Sequence, residues 1–168
     1  MKTKTQKIII SAMFAALTCV ATMIIKIPYG NGYLNAGDCI VLVAAWTLSP
    51  LYGFLAAGIG SALADIFSGY IAYAPATFII KGVMALIAHS LLTIPHKKAA
   101  NLPAIIISGL SAELTMVFGY YLYETLLYGF IPAASNIPGN CAQGVLGLIL
   151  ATIIIKGFEK GKYLHKQK

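Results

Sequence analysis

Long apolar runs, each closed by a short cluster of turn formers or lysines, follow one another along the whole chain. The first, roughly Lys7 to Ile25, ends in Lys26-Ile-Pro-Tyr-Gly-Asn-Gly-Tyr-Leu-Asn35, a connection dense in turn-forming residues. A second run, Ala36 to about Leu48, is broken by Ser49-Pro50-Leu-Tyr-Gly53, a link tight enough to make helices 2 and 3 an antiparallel hairpin. The third, about Leu51 to Phe67, sets Ala56, Gly60 and Ala64 four residues apart, so one face lacks side-chain bulk and a neighbouring helix can approach it closely. Ser68 to Pro75 reads as a connection whose tyrosines suit a membrane interface, and helix 4 follows from about Ala76 to Ile94. Helix 5 is expected over Leu102 to Tyr121 and helix 6 over Gly139 to Ile155. Leu122 to Pro138 between them is the longest connection and has room for a short interfacial helix. The reading is all-α: one integral membrane bundle of six transmembrane helices over residues 1–168, several of them short enough to imply tilt or shielding by partner subunits.

Composition agrees with lipid as the solvent. The chain is 59% hydrophobic and 10% charged, whereas soluble domains carry about 25% charged residues. Every basic residue is lysine, and all but Lys26 and Lys81 fall in three clusters: Lys2, Lys4 and Lys7; Lys97 and Lys98; and Lys156, Lys160, Lys162, Lys166 and Lys168. These clusters occupy alternate connections, which places both termini and the Pro95-to-Asn101 loop in the cytoplasm and the links after helices 1, 3 and 5 outside. A formal charge of +7 would suggest nucleic acid in a soluble protein. Here the lysines lie just beyond apolar runs, where anionic cytoplasmic lipid attracts them, so no nucleic-acid partner is expected. The N-terminal run is as long as a bilayer span and lacks a small-x-small cleavage site, so it reads as a retained helix. Cys19, Cys39 and Cys141 show no metal-ligand spacing and read as packing residues; no metal or cofactor is expected.

Ionisable groups inside apolar segments are costly, about 2.5–3.5 kcal/mol each on insertion scales, and each is a functional candidate until a structural partner is found. Four qualify, Asp38, Asp65, Lys81 and Glu113, and helical rise places all four in the outer half of the bundle. Thr77, Lys81 and Met84 share one face of helix 4, and Glu113, Met116, Val117 and Tyr120 one face of helix 5. Asn136, Asn140, Gln143 and Gly144 gather near the outer entry of helix 6. If these faces converge they make an outward-facing pocket with a cation, carboxylates, amides and aromatic walls, suited to a small flat polar heterocycle. Plainer roles stand beside this. Asp38 fits a first-turn dipole position, Asp65 and Lys81 fit a mutual ion pair, and Asn140 fits a helix cap. His89, toward the inner end of helix 4, fits an interhelical hydrogen bond, and Trp46 an interface anchor.

Enzyme chemistry finds no foothold. Gly37-Asp38 lacks the flanking residues and partner helix of an intramembrane aspartyl protease, and there is no Gly-x-Ser-x-Gly, His-Glu-x-x-His or phosphate-cradling Gly-x-x-x-x-Gly-Lys motif. No catalytic residue is assigned, and work driven by ATP would fall to another chain. A stand-alone secondary transporter would show paired halves with broken helices, and these are not seen.

Three stretches carry a family likeness: Leu34-Asn-Ala-Gly-Asp-Cys-Ile-Val-Leu-Val-Ala-Ala45, Gly53-Phe-Leu-Ala-Ala-Gly-Ile-Gly-Ser-Ala-Leu-Ala-Asp65 and Tyr73-Ala-Pro-Ala-Thr-Phe-Ile-Ile-Lys-Gly82. The chain resembles the substrate-binding S components of energy-coupling factor (ECF) vitamin transporters, in the group with riboflavin-type, pyridoxine-type and hydroxymethylpyrimidine-type members. The resemblance implies a six-helix protein of the prokaryotic plasma membrane. Such a protein binds a vitamin outside, docks through helices 1 to 3 on a membrane scaffold subunit, and delivers its cargo with two cytoplasmic ATPases. It implies that Ala12 and Ala16, an Ala-x-x-x-Ala pair on helix 1, contact the scaffold. It also implies ligand contacts from the helix 1–2 loop and helices 4 to 6. With the pocket above, the candidate binding residues are Lys81, Glu113, Asn140, Gln143, Tyr120, Thr77, Asp65, Asn35 and Tyr33, with Asn31 as a further lid residue. A lysine, a carboxylate and amides suit a pyridoxine-like or hydroxymethylpyrimidine-like ring, with riboflavin the nearest competitor.

Overall fold

The computed structural model describes residues 3–30, 32–93 and 101–166, with side chains described as far as Phe158. Asn31, the 94–100 connection with Lys97 and Lys98, and Lys2 and Lys168 lie outside the described residues, as do the side chains of Lys160, Lys162 and Lys166. Among the described residues six helices and one hairpin follow in order: α1 (Lys4–Ile24), β1 (Lys26–Tyr29), β2 (Gly32–Asn35), α2 (Gly37–Thr47), α3 (Pro50–Phe67), α4 (Ala74–Thr93), α5 (Leu102–Tyr128) and α6 (Phe130–Lys166). Five helices are long and apolar enough to cross a membrane, and α2, with 11 residues, is not.

Local chemistry sets the ends. A capping box opens α1, with the Thr3 hydroxyl accepting from Gln6 N at 3.2 Å and the Gln6 side chain accepting from Thr3 N at 3.0 Å. Pro50 occupies the first turn of α3, where its missing N–H costs nothing. The connection expected as an open loop after helix 1 is an antiparallel β-hairpin, pairing Lys26 with Asn35 and Tyr29 with Gly32.

The largest departure from expectation lies between helices 5 and 6. No long connection exists there: α5 continues to Tyr128, Gly129 turns the chain at φ 89°, and α6 starts at Phe130. A left-handed turn of one residue is open to glycine at little steric cost. At about 1.5 Å per residue α5 extends about 40 Å, beyond the ~30 Å of a hydrocarbon core. Its last turns and the first turns of α6 therefore stand up as paired walls at one end of the bundle. Pro138, expected to end a loop, sits inside α6.

Short α2 is the centre of the molecule, walled by α1, α3, α4 and α6, with Val41, Leu42, Ala44 and Ala45 at 0% exposure. Met84 from α4 and Met116 from α5 complete the core around it. Small residues bring α1 against α3 as the spacing predicts: Ala56, Gly60 and Ala64 are buried, and a Cβ at Gly60 would lie 2.8 Å from Thr18 Cβ. Outward faces carry Ile9, Met13, Leu17, Ile79, Leu114, Phe118 and Ile153, the inverse of a water-soluble surface. His89 makes its expected interhelical contact, Nδ1 to Ala45 O at 3.0 Å. Trp46 is half-buried and donates from Nε1 to Ser108 Oγ at 3.0 Å, tying α2 to α5 instead of serving as an interface anchor. Cys19 and Cys39 are buried as expected, but Cys141 is exposed on α6.

Candidate binding site

Three connections meet at one end of the bundle: the β-hairpin, the Ser68-to-Tyr73 turn and the Gly129 corner. Beneath them lies a cavity of about 600 Å³, counted out to its mouth, with walls from α3, α4, α5, α6 and the hairpin.

Its floor is ionic. Asp38, in the first turn of α2 and 0% exposed, pairs with Lys81 Nζ of α4 and accepts a second bond from Gln143 Nε2 of α6 at 2.6 Å. Gln143 Oε1 accepts from the Asn35 backbone N at 2.9 Å and from Asn35 Nδ2 at 3.1 Å, while Asn35 Oδ1 accepts from Gly37 N at 2.9 Å. One network thus joins α4, α2, α6 and the end of the hairpin, and it surrounds the buried charges with partners. Lys81 Nζ also lies 5.5 Å from the centroid of the Tyr120 ring.

Above the floor, Tyr33 donates to Asp65 Oδ1 at 2.6 Å, and the Thr77 and Tyr120 hydroxyls meet at 3.0 Å. Near the mouth, Glu124 accepts from Asn136 Nδ2 at 2.9 Å and from the Tyr73 hydroxyl at 3.4 Å. Tyrosine rings connect the two levels: Tyr33 to Tyr70 at 4.9 Å between centroids, Tyr70 to Tyr73 at 6.2 Å, and Tyr73 to Tyr128 at 6.5 Å. Burial, with Asp65 beside it, pushes the Tyr33 phenol above its ordinary value, and burial with Tyr128 and Glu124 does the same at Tyr73. Both therefore stay neutral hydrogen-bond donors. The hairpin closes over this space by setting the Tyr29 ring on Gly139, where any side chain would collide with it.

Eight of the nine residues expected at the site line the cavity together: Lys81, Asn140, Gln143, Tyr120, Thr77, Asp65, Asn35 and Tyr33. Glu113 does not line it. Its carboxylate is pressed against α6, where a Cβ at Gly147 would lie 3.1 Å from Glu113 Oε1 and 2.8 Å from Asp38 Cβ, and neither oxygen has a hydrogen-bond partner among the described residues. Lys81 does not pair with Asp65; its partner is Asp38, and Asp65 is held by Tyr33 instead. Asn140 lies well inside α6, which excludes a capping role. Sequence reasoning passed over Tyr70 and Tyr73, read as interface residues, and Glu124, assigned to a loop. Four-residue spacing from Tyr120 would have brought Glu124 onto the Tyr120 face had the helix been carried that far. Ala12 and Ala16 lie on the exposed face of α1, away from the cavity.

Comparison with known proteins supplies the lineage. Residues 2–160 match the family described as ECF-type riboflavin transporter, S component. The chain belongs to this family. An uncharacterized protein in a gap 3′ region of Pyrococcus woesei is 35% identical to this S component over 133 residues, which cover 78% of this chain and 86% of that protein. Two solved structures share its fold. One, described as the S component of a bacterial ECF transporter, superposes with a TM-score of 0.72 at 23% identity, covering 94% of this chain and 98% of that one. The other, an S component for biotin from an ECF-type ABC transporter, gives 0.66 at 20% identity, with 93% and 95% covered. S components are membrane-embedded transport subunits and not an enzyme family, in keeping with a site built only to hold.

Proposed function

We propose that this S component captures a small heterocyclic vitamin at the outer face of the cell membrane and delivers it inward together with a scaffold subunit and two ATPases. The observation that carries this reading is the hairpin-roofed cavity, whose floor presents Lys81, Gln143 and Asn35 and whose walls are tyrosine faces. Few directional groups amid flat apolar surface is the makeup of a small-molecule site. The outward direction is supported by charge: among the described flanking lysines the cavity end carries Lys26, and the opposite ends of α1 and α6 carry Lys4, Lys7 and Lys156. By this reading residues 1–168 form one unit with both termini inside and six crossings, α2 being enclosed by the others. Ala12 and Ala16, bordered by exposed Ile9, Met13 and Val20, form the scaffold-facing surface.

Riboflavin is the first candidate ligand. The family supports it, and the tyrosine-lined walls offer flat faces to a ring system. Polar groups at both floor and mouth suit a flat ring with a hydroxylated chain. A pyridoxine-like or hydroxymethylpyrimidine-like ring is the second reading, supported by the compact cluster of Lys81, Gln143 and Asn35 at the floor. The test is to purify the protein, denature it and identify the released small molecule by mass spectrometry. A vitamin released in stoichiometric amount supports the reading. Failure to release or bind any heterocyclic vitamin overturns it.

A further inference from the structure

Connections that stand in water collect charged and polar side chains, yet the three that meet at the cavity end of this bundle do not. Residues 25–36, 68–73 and 125–134 carry a single charge among them, Lys26. Each connection exposes a large apolar side chain instead: Ile27 on the hairpin, Ile71 on the turn between α3 and α4, and Leu126, Phe130 and Ile131 around the Gly129 corner. The corner is the extreme case, with Leu126 84%, Phe130 71% and Ile131 86% exposed. Glu124, the carboxylate nearest to it in sequence, is buried against the cavity. A contiguous apolar patch of this kind marks a surface that meets protein or lipid.

Continuity decides between the two. Every fourth residue of α5 from Leu102 to Leu126 is a large apolar side chain exposed on the surface, so the corner is the last step of the row that faces lipid at Leu114 and Phe118. At ~1.5 Å per residue the row is about 36 Å long, longer than the ~30 Å of hydrocarbon but within the roughly 40–45 Å that includes the headgroups. A tilt of about 20°, ordinary for a membrane helix, shortens its reach only to about 34 Å. At the opposite end of the bundle the exposed Lys4 and Lys7 of α1 anchor the fold in one headgroup layer, so the excess length falls at the corner.

We infer that the α5–α6 corner, together with Ile27 and Ile71 on the neighbouring connections, is embedded in the leaflet opposite the lysines, and that the cavity therefore opens among headgroups and not into bulk water. The partner is bilayer lipid. Acyl chains pack on Leu126, Phe130 and Ile131, while Tyr128 and Lys26 are residue types suited to the headgroup layer. The inference rests on the membrane-embedded bundle and is independent of which ligand the cavity takes.

The test places a nitroxide label at Leu126→Cys and at Ile131→Cys, each in a Cys141→Ser background, since Cys19 and Cys39 are buried. Phe118→Cys serves as the lipid reference and Lys4→Cys as the aqueous one. Labelled protein in dioleoyl-phosphatidylcholine vesicles is probed for collisions with oxygen, which concentrates in lipid, and with a water-soluble nickel chelate. Both corner labels are expected to match position 118, with high oxygen access and nickel access about 10-fold or more below that at position 4. Nickel access within about 2-fold of position 4 at both corner sites overturns the inference. Low access to both reagents overturns it as well, because a second copy of the chain then covers the corner. Unaltered protein gives an independent reading that no labelling variant can spoil: a phosphatidylcholine with a diazirine in its acyl chain is photolysed in the same vesicles, and adducts are mapped by mass spectrometry. Adducts on residues 122–131 as well as 114–118 are expected, and adducts confined to 114–118 overturn the inference while leaving the vitamin-binding reading to its own test.

Discussion

Breaking the Lys81–Asp38 pair isolates the interaction that organises the floor. Both side chains are buried, at 3% and 1% side-chain exposure, and among the described residues Asp38 has one other side-chain partner, Gln143. Lys81→Met leaves a carboxylate in the interior with an amide for company, and Asp38→Asn leaves a buried ammonium. Removal of one member of a buried pair costs about 3–5 kcal/mol, because the survivor is uncompensated. Substituting both removes the charges together. The amide introduced by Asp38→Asn could still accept from Gln143, so the pair of changes should cost only about 0–2 kcal/mol. The coupling is therefore about 4 kcal/mol or more, far outside additivity. Thermal unfolding of ligand-free protein in detergent reads it, with the fluorescence of Trp46, the single tryptophan, as reporter. Each single variant should fall by about 10 °C, at roughly 2–4 °C per kcal/mol for a chain of this size. The double variant should recover most of that loss. Additive losses would refute the view that the two groups act on each other.

Three further outcomes follow from other parts of the structure. Glu113→Gln should leave vitamin affinity within about 3-fold, since the side chain does not line the cavity; a loss above about 30-fold by calorimetry would place it in contact with ligand. Gly139→Val should drive the Tyr29 ring off α6 and weaken binding by about 10-fold or more, with helical content unchanged by circular dichroism. Phenylalanine at Ala12 and Ala16 should abolish uptake by the assembled transporter in proteoliposomes while leaving the affinity of the isolated subunit within about 2-fold; loss of binding would make that face internal to the fold.

Much of the bundle was legible because lipid imposes simple rules. A span must be apolar and helical, so α1 to α4 fall within a few residues of their expected limits. The small-residue face of α3 announced the close approach of a neighbour in the same way, and that neighbour is α1. The α5–α6 walls were not legible, since Glu124, Asn136 and Pro138 look like loop chemistry when no cavity is known to receive them. Once the walls enclose polar space, those side chains have partners and the helix can continue. Pairing across the fold was hidden for another reason. Asp38 and Lys81 are 43 residues apart, and nothing in either segment says that α2 lies between α4 and α6. Asp65, closer in sequence to Lys81, was the natural guess. Glu113 misled through geometry: two helical turns put it on the face of Tyr120, yet the open space ends above it.

The shortness of α2 decides how deep the cavity floor lies. With 11 residues it covers about 17 Å, little more than half of a ~30 Å hydrocarbon slab, and it is enclosed by longer neighbours. Its leading end, with Asp38, therefore begins below the headgroups, and the hairpin descends to meet it like a stopper in the neck of a well. Raising the electrolyte from 0.1 to 1 M shrinks the screening distance to about 3 Å, but only in water. On the proposed vitamin-binding reading, affinity should accordingly change little between about 0.1 and 1 M salt.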